Sequence, residues 1–156
     1  MPYLIDGHNL IPQLGLSLDL ADDELRLVNL LLEFCRLSRK QVEVFFDGAQ
    51  PGQLRTKKFG AVTAHFVRTP ATADDAIAAR LRRLGKSARN WILVSSDRRG
   101  QSEAKACGAQ VLSSPKFADL LRDQIRRAEK EADPSSEKLN EDEIRDWLEL
   151  FGGKKQ

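Results

Sequence analysis

Two periods alternate along the chain. Short and nearly continuous apolar runs (Tyr3-Leu4-Ile5, Val42 to Phe46, Trp91 to Val94, Val111-Leu112) have the length and composition of strands covered on both faces. Between the first two, Leu25, Val28, Leu31, Leu32 and Cys35 recur at three and four residues, which predicts a helix over 22–37 packed on a sheet. The stretch 61–67 alternates, with Val62, Ala64 and Phe66 on one face, and reads as an edge or near-edge strand. Thr72 opens a helix with Ile77, Ala78, Leu81 and Leu84 on its buried side and Gly85 as its stop. A short helix over 99–107 ends at Gly108, and Ser114-Pro115 is expected to cap a longer one carrying Phe117, Leu120, Leu121 and Ile125. Segments 10–20, with Pro12 and Gly15, and 53–58, after the Gln50-Pro51-Gly52 turn, read as irregular loops.

Strand, helix and strand in alternation make right-handed βαβ units and an α/β fold, in which Asp6 and Asp47 leave the sheet at the same edge. The division expected is a domain over 1–127, then 128–156 as a charged linker and a short closing helix from Asn140, with Trp147 and Phe151 docked on the domain.

A length of 156 residues suits one domain with its own core, and 41% hydrophobic with 31% charged residues is a soluble composition. No run approaches the roughly 18 apolar residues of a membrane span, and Met1-Pro2-Tyr3 has no basic signal region, so a cytoplasmic protein is expected. Cys35 and Cys107 lack metal-ligand spacing and read as buried free thiols.

Charge changes the picture more than composition does. The net value is only +2, yet residues 50–100 hold eleven bases against three acids, while 128–156 hold nine acids against five bases. A basic middle suits a polyanionic partner.

The acids supply the candidate chemistry. Asp6 and Asp47 each close an apolar strand and precede a glycine, Asp97 follows Leu93-Val94-Ser95-Ser96, and Thr72-Ala73-Asp74-Asp75 opens a helix. Asp75 stands three residues after Thr72, where it can complete a capping box; Asp74 has no such role and is favoured as a ligand. Asp6, Asp47, Asp74 and Asp97 at one edge would make an oxygen-rich pocket suited to Mg²⁺ or Mn²⁺ and to phosphodiester hydrolysis. There is no GxxxxGK[ST] and no GxGxxG after the first strand, which speaks against nucleotide hydrolases and dinucleotide enzymes. Of the two histidines, His65 falls mid-strand as a structural residue, and His8 can touch a phosphate or serve the turn.

Asp6-Gly7-His8-Asn9, Phe46-Asp47-Gly48, Thr72-Ala73-Asp74-Asp75 and Ser96-Asp97-Arg98 together resemble the successive motifs of the YacP-like NYN domains of the PIN-like nuclease superfamily. That resemblance implies a three-layer PIN-like (Rossmann-like) fold with a parallel five-stranded sheet ordered 3-2-1-4-5 and helices on both faces. It further implies a metal-dependent endoribonuclease with Asp6, Asp47, Asp74 and Asp97 on Mg²⁺ or Mn²⁺, Asn9 orienting the site and Asp75 as a secondary acid. His8 stands where that family often has tyrosine. Arg55, Lys57, Lys58, Arg80, Arg83 and Arg98 are the candidate RNA contacts. The alternatives are a non-catalytic RNA- or ribosome-binding module and a small-molecule phosphohydrolase.

Overall fold

The structure, a computed structural model, describes residues 1–15, 23–49 and 54–131. The closing helix expected from Asn140 lies outside them. Six strands form one sheet: β1 (Tyr3–Asp6), β2 (Val42–Ala49), β3 (Thr56–Phe59), β4 (Val62–Arg68), β5 (Ile92–Val94) and β6 (Gln110–Leu112), in the order β3-β4-β2-β1-β5-β6. All neighbours are parallel except β3 and β4. The five anticipated strands therefore stand in the anticipated order, and the correction is a sixth, antiparallel strand outside them. From sequence, residues 53–58 read as a loop, a polar and basic run after a turn signal, yet Thr56 to Lys58 open β3. Its strand character comes from backbone pairing, Thr56 opposite His65 through Phe59 opposite Val62, with the chain turning at Gly60 in the left-handed region. Exposed lysines suit an edge that must not recruit another strand.

Residue alternation along β1 divides the core. Tyr3 and Ile5 face a cluster with Leu27, Leu31, Phe34, Val44, Phe46 and Phe117, under the helices α2 (Asp23–Ser38) and α5 (Ser114–Lys130). Leu4 faces the other way, toward Phe45, Ile77, Leu81, Leu93 and Ala104, under α3 (Ala73–Leu84) and α4 (Arg98–Ala106). The rings of Tyr3, Phe34 and Phe117 meet pairwise with centroids 5.1 to 5.5 Å apart. Each fully buried Phe, Leu or Ile contributes about 1.5–3 kcal/mol, so β1, buried at every position, is the spine of both layers.

Four local expectations change. Leu25 is 51% exposed, because the buried stripe of α2 runs through Leu27, Val28, Leu30, Leu31, Phe34 and Cys35. Of the loop expected over 10–20, residues 10–14 are regular: a helical turn α1 (Gly7–Leu10) passes into a 3-10 turn (Ile11–Leu14), too short for periodicity to show, with Leu10 and Ile11 buried. The cap of α5 is Ser113, whose side chain accepts from the Lys116 N–H at 3.3 Å, and Ser114 is the first helical residue. That helix also continues past the boundary expected at 127. Among the described residues no helix is long and apolar enough to cross a membrane.

Candidate active site

Parallel strands deliver their carboxyl ends to one edge, and the helices that follow them begin there. Asp6 ends β1, Asp47 lies near the end of β2, Asp97 follows β5 and caps α4, and Asp74 sits in the first turn of α3. Four separate pieces of chain thus meet at one rim.

Gly7 sets how closely they meet. A Cβ there would overlap the Phe46 ring and stand 3.0 Å from the Phe45 carbonyl oxygen, so only glycine lets the chain turn off β1 against β2. The consequence is that Asp6 is held 8% exposed. Burial pushes its pKa up to about 6; the Asn9 backbone N–H works against this, although no capping bond forms, and the charges of Asp47 and Asp97 add to the rise.

Asp74 is the second perturbed acid. Its pKa is raised to about 7, first by burial and then by its hydrogen bond and charge interaction with Asp97, with Asp6 adding to both. One of its oxygens, Oδ1, is buried without a hydrogen-bond partner. Asp97 moves the opposite way, lowered first by the same contact with Asp74 and then by the Arg99 backbone N–H, which donates to it at 3.1 Å. Each carboxyl therefore feels the other's charge, and a proton on Asp74 favours the ionised form of Asp97. Asp47 is committed differently, since one of its oxygens accepts from the Ala73 N–H at the start of α3.

Asp75 completes the capping box. Its carboxylate accepts from the Thr72 N–H at 3.1 Å while the Thr72 hydroxyl accepts from the Asp75 N–H, and Arg99 donates to it at 2.9 Å. Those bonds hold its pKa below the usual carboxylate range. Asp74 and Asp75 are adjacent in sequence and opposite in character.

Asn9 ties two of the acid-bearing pieces together. Its side-chain oxygen accepts from the Ser96 N–H at 2.8 Å, beside Asp97, and from the Ser114 hydroxyl at 2.6 Å. Ser114 is fully buried, and nothing in its apolar-pattern context marked it as more than a helix start. Ser95 also supports the loop, its hydroxyl accepting from the Asp97 N–H at 3.0 Å.

His8 does not face an open rim as a free base: it pairs with Glu24 at 2.6 Å, which raises its pKa, and its ring lies 5.6 Å from that of Phe46. His65 is structural, between Thr56 and Glu43.

The expected RNA contacts fall in different places. Arg98 is exposed at the start of α4; Arg55 is exposed on the outer side of the sheet, where its carbonyl accepts from the Phe66 N–H, and Phe66 pairs with Phe46. Lys57 and Lys58 follow on the edge strand β3, with the Lys57 ammonium 5.1 Å from the Phe59 ring. Arg80 departs from expectation. Both arms of its guanidinium bond Glu43, at 2.9 and 2.8 Å, near the amino end of β2, and it stacks on Trp91 at 5.2 Å. Arg83 lies in the last turn of α3, about 13 Å along the helix axis from Asp74 at 1.5 Å per residue.

Among the described residues no three His, Cys, Asp or Glu side chains form a ready metal cage. The donors nevertheless fit a hard cation. Asp6 is buried with no cationic side chain bonded to it, and Asp74 carries an orphan oxygen; Mg²⁺ commonly takes only one or two protein carboxylates, with water and phosphate completing its shell.

The family model described as the YacP-like NYN domain matches residues 3–150. Crystal structures of Rae1 (YacP) from Bacillus subtilis share the fold: one at 23% identity covers 99% of this chain and 96% of its own with a TM-score of 0.72. A tryptophan-to-leucine mutant of that protein matches at 22% identity over 83% of this chain and 79% of its own, with a TM-score of 0.64. No curated protein matches.

Proposed function

Since the chain belongs to the YacP-like NYN domain family, a PIN-like nuclease type, we propose that it is a metal-dependent endoribonuclease whose site is the rim of Asp6, Asp74 and Asp97, with Asp47 beside them. The observation that carries the reading is Asp74: an acid with an unpartnered buried oxygen, its pKa raised first by burial and then by Asp97 and Asp6, is a group whose ionised form a cation would stabilise.

Asp6, Asp74 and Asp97 are the residues that would hold Mg²⁺ or Mn²⁺, directly or through water. Such a cation, when bound, supplies the charge that makes water a better nucleophile and steadies a phosphodiester under attack. The chain's own groups do the rest. Asn9 fixes the loop that carries Asp97; Arg98, exposed at the start of α4, and Arg55, exposed on the outer side of the sheet, are bases for flanking phosphates. Lys57 and Lys58 extend that basic track along the edge strand. Arg80 is left out because Glu43 occupies it, and Arg83 because the length of α3 separates it from the acids. Asp75 is assigned to the capping box rather than to the reaction.

The test is incubation of single-stranded and structured RNAs with Mn²⁺, comparing wild type with Asp6→Asn. Wild type should cleave internally and lose activity in EDTA, and the variant should retain the fold and RNA affinity while losing cleavage. Equal cleavage by the two proteins would remove Asp6 from the site. RNA binding by wild type with no cleavage would instead favour the non-catalytic module.

A further inference from the structure

A ring of three hydrogen bonds joins Asn9, Ser96 and Ser114. The Ser96 N–H donates to Asn9 Oδ1 at 2.8 Å, the Ser114 hydroxyl donates to the same oxygen at 2.6 Å, and the Ser114 N–H donates to Ser96 Oγ at 3.1 Å. A backbone N–H can only donate, so the atom it meets must be the amide oxygen. That settles which end of the Asn9 carboxamide is which. Turning the carboxamide over would set its amide against the Ser96 N–H, donor against donor, and the buried Ser114 hydroxyl, 2.6 Å from the oxygen, holds the group in place from a second side. Among the described residues Asn9 Nδ2 donates to nothing, and it belongs to a half-exposed side chain in the turn that follows Asp6. The ring also joins three pieces of the fold, the turn after β1, the loop after β5 and the start of α5, none of which is near another in sequence.

We infer that Ser114 is a positioning residue: its hydroxyl helps hold the Asn9 carboxamide with the amide nitrogen presented beside the acid rim as a donor to a phosphate oxygen of bound RNA. The inference rests on the proposed RNA-cleaving function and deepens it. A preset donor costs no reorganisation when charge develops on the phosphate, whereas a carboxamide free to rotate presents its oxygen, an acceptor, for part of the time. Ser114 touches no substrate itself and acts only through Asn9.

That chain of action gives the test. Single-turnover RNA cleavage in Mn²⁺ is measured for wild type, Ser114→Ala, Asn9→Ala and the double variant, with folding checked by amide spectra. Ser114→Ala should slow cleavage about five- to tenfold in the wild-type background and less than about twofold when Asn9 is already alanine. Equal losses in both backgrounds would make Ser114 a merely structural residue and overturn the inference. If Ser114→Ala does not fold, Ser114→Cys, of similar volume with a weaker donor, takes its place in the cycle. A second readout does not depend on catalysis. In EDTA the Asn9 side-chain amide protons should shift when a single-stranded oligonucleotide is added, and should shift less in the Ser114 variant. No shift in wild type would overturn the donor role even in a protein that only binds RNA, while a wild type that shifts but never cleaves would fail the nuclease reading and keep the donor.

Discussion

Asp74 and Asp75 occupy adjacent positions with the same side chain, and the structure gives them unlike tasks. The Asp75 carboxylate is satisfied twice, by the Thr72 N–H of the capping box and by Arg99, whereas Asp74 has an orphan oxygen and two acid neighbours. Asp74→Asn should therefore abolish cleavage, and Asp75→Asn should leave it within a few-fold of wild type; assaying both on one RNA checks the assignment. This much was legible in the sequence, because a Thr three residues before an Asp at a helix start is a capping signal whatever the fold. Ser114 was not legible: its bond to Asn9 spans 105 positions and depends on α5 beginning one residue earlier than the Ser-Pro signal suggested.

The raised acids also set a pH dependence. Asp6 has an ordinary pKa of 3.8 and a folded value of about 6, so between these the folded protein holds a proton that the unfolded chain releases. Stability then falls as pH rises from about 4; the Asp6 share is lost by about 7, and the Asp74 share, with its pKa at about 7, only by about 8. For Asp6, two units at about 1.4 kcal/mol each bound the effect at about 3 kcal/mol. In metal-free buffer Asp6→Asn should accordingly melt several degrees above wild type at pH 8, with the difference vanishing near pH 4, as thermal scans would show. A variant less stable than wild type at pH 8 would mean that the Asp6 charge is already compensated.

At the scale of elements, two turns hold the rim in shape. The capping box starts α3 just where its first N–H meets Asp47, so Thr72→Ala should cost about 1 kcal/mol and loosen Asp74 as well as the helix end. Chemical denaturation read beside the cleavage rate would show both losses. The other turn is at Gly7, where an alanine must push back Phe46 or the β2 backbone. Helices and buried strands were readable from periodicity because one face of each is apolar. The edge strand β3 was not, since its residues are exposed and polar and only the partner strand makes them a strand.

Across the whole molecule, charge is sorted by the direction of the strands. The acids gather at the carboxyl edge with Arg98 at the start of α4, while Arg80 joins Glu43 and His65 toward the amino end. Glu43 shows how firmly that second group is bound: burial would raise its pKa, yet bonds from His65 and Arg80 take it down to about 2. Counting arginines along the sequence could not separate these roles, because α3 carries bases from one edge of the sheet to the other. Removing Arg55 or Arg98 should weaken RNA binding and flatten its dependence on salt by about one phosphate contact each. Arg80→Ala should leave that slope unchanged and lower stability by about 2 kcal/mol, because Glu43 would lose its bidentate partner.

The central claim is that this rim of carboxylates is a divalent-cation site. Calorimetric titration of Mn²⁺ into wild type, Asp6→Asn and Asp74→Asn at pH 8 tests it most directly. Saturable binding by wild type that is lost or strongly weakened in both variants, with all three proteins folded, is the result expected; no binding by folded wild type, or equal binding by all three, would contradict it.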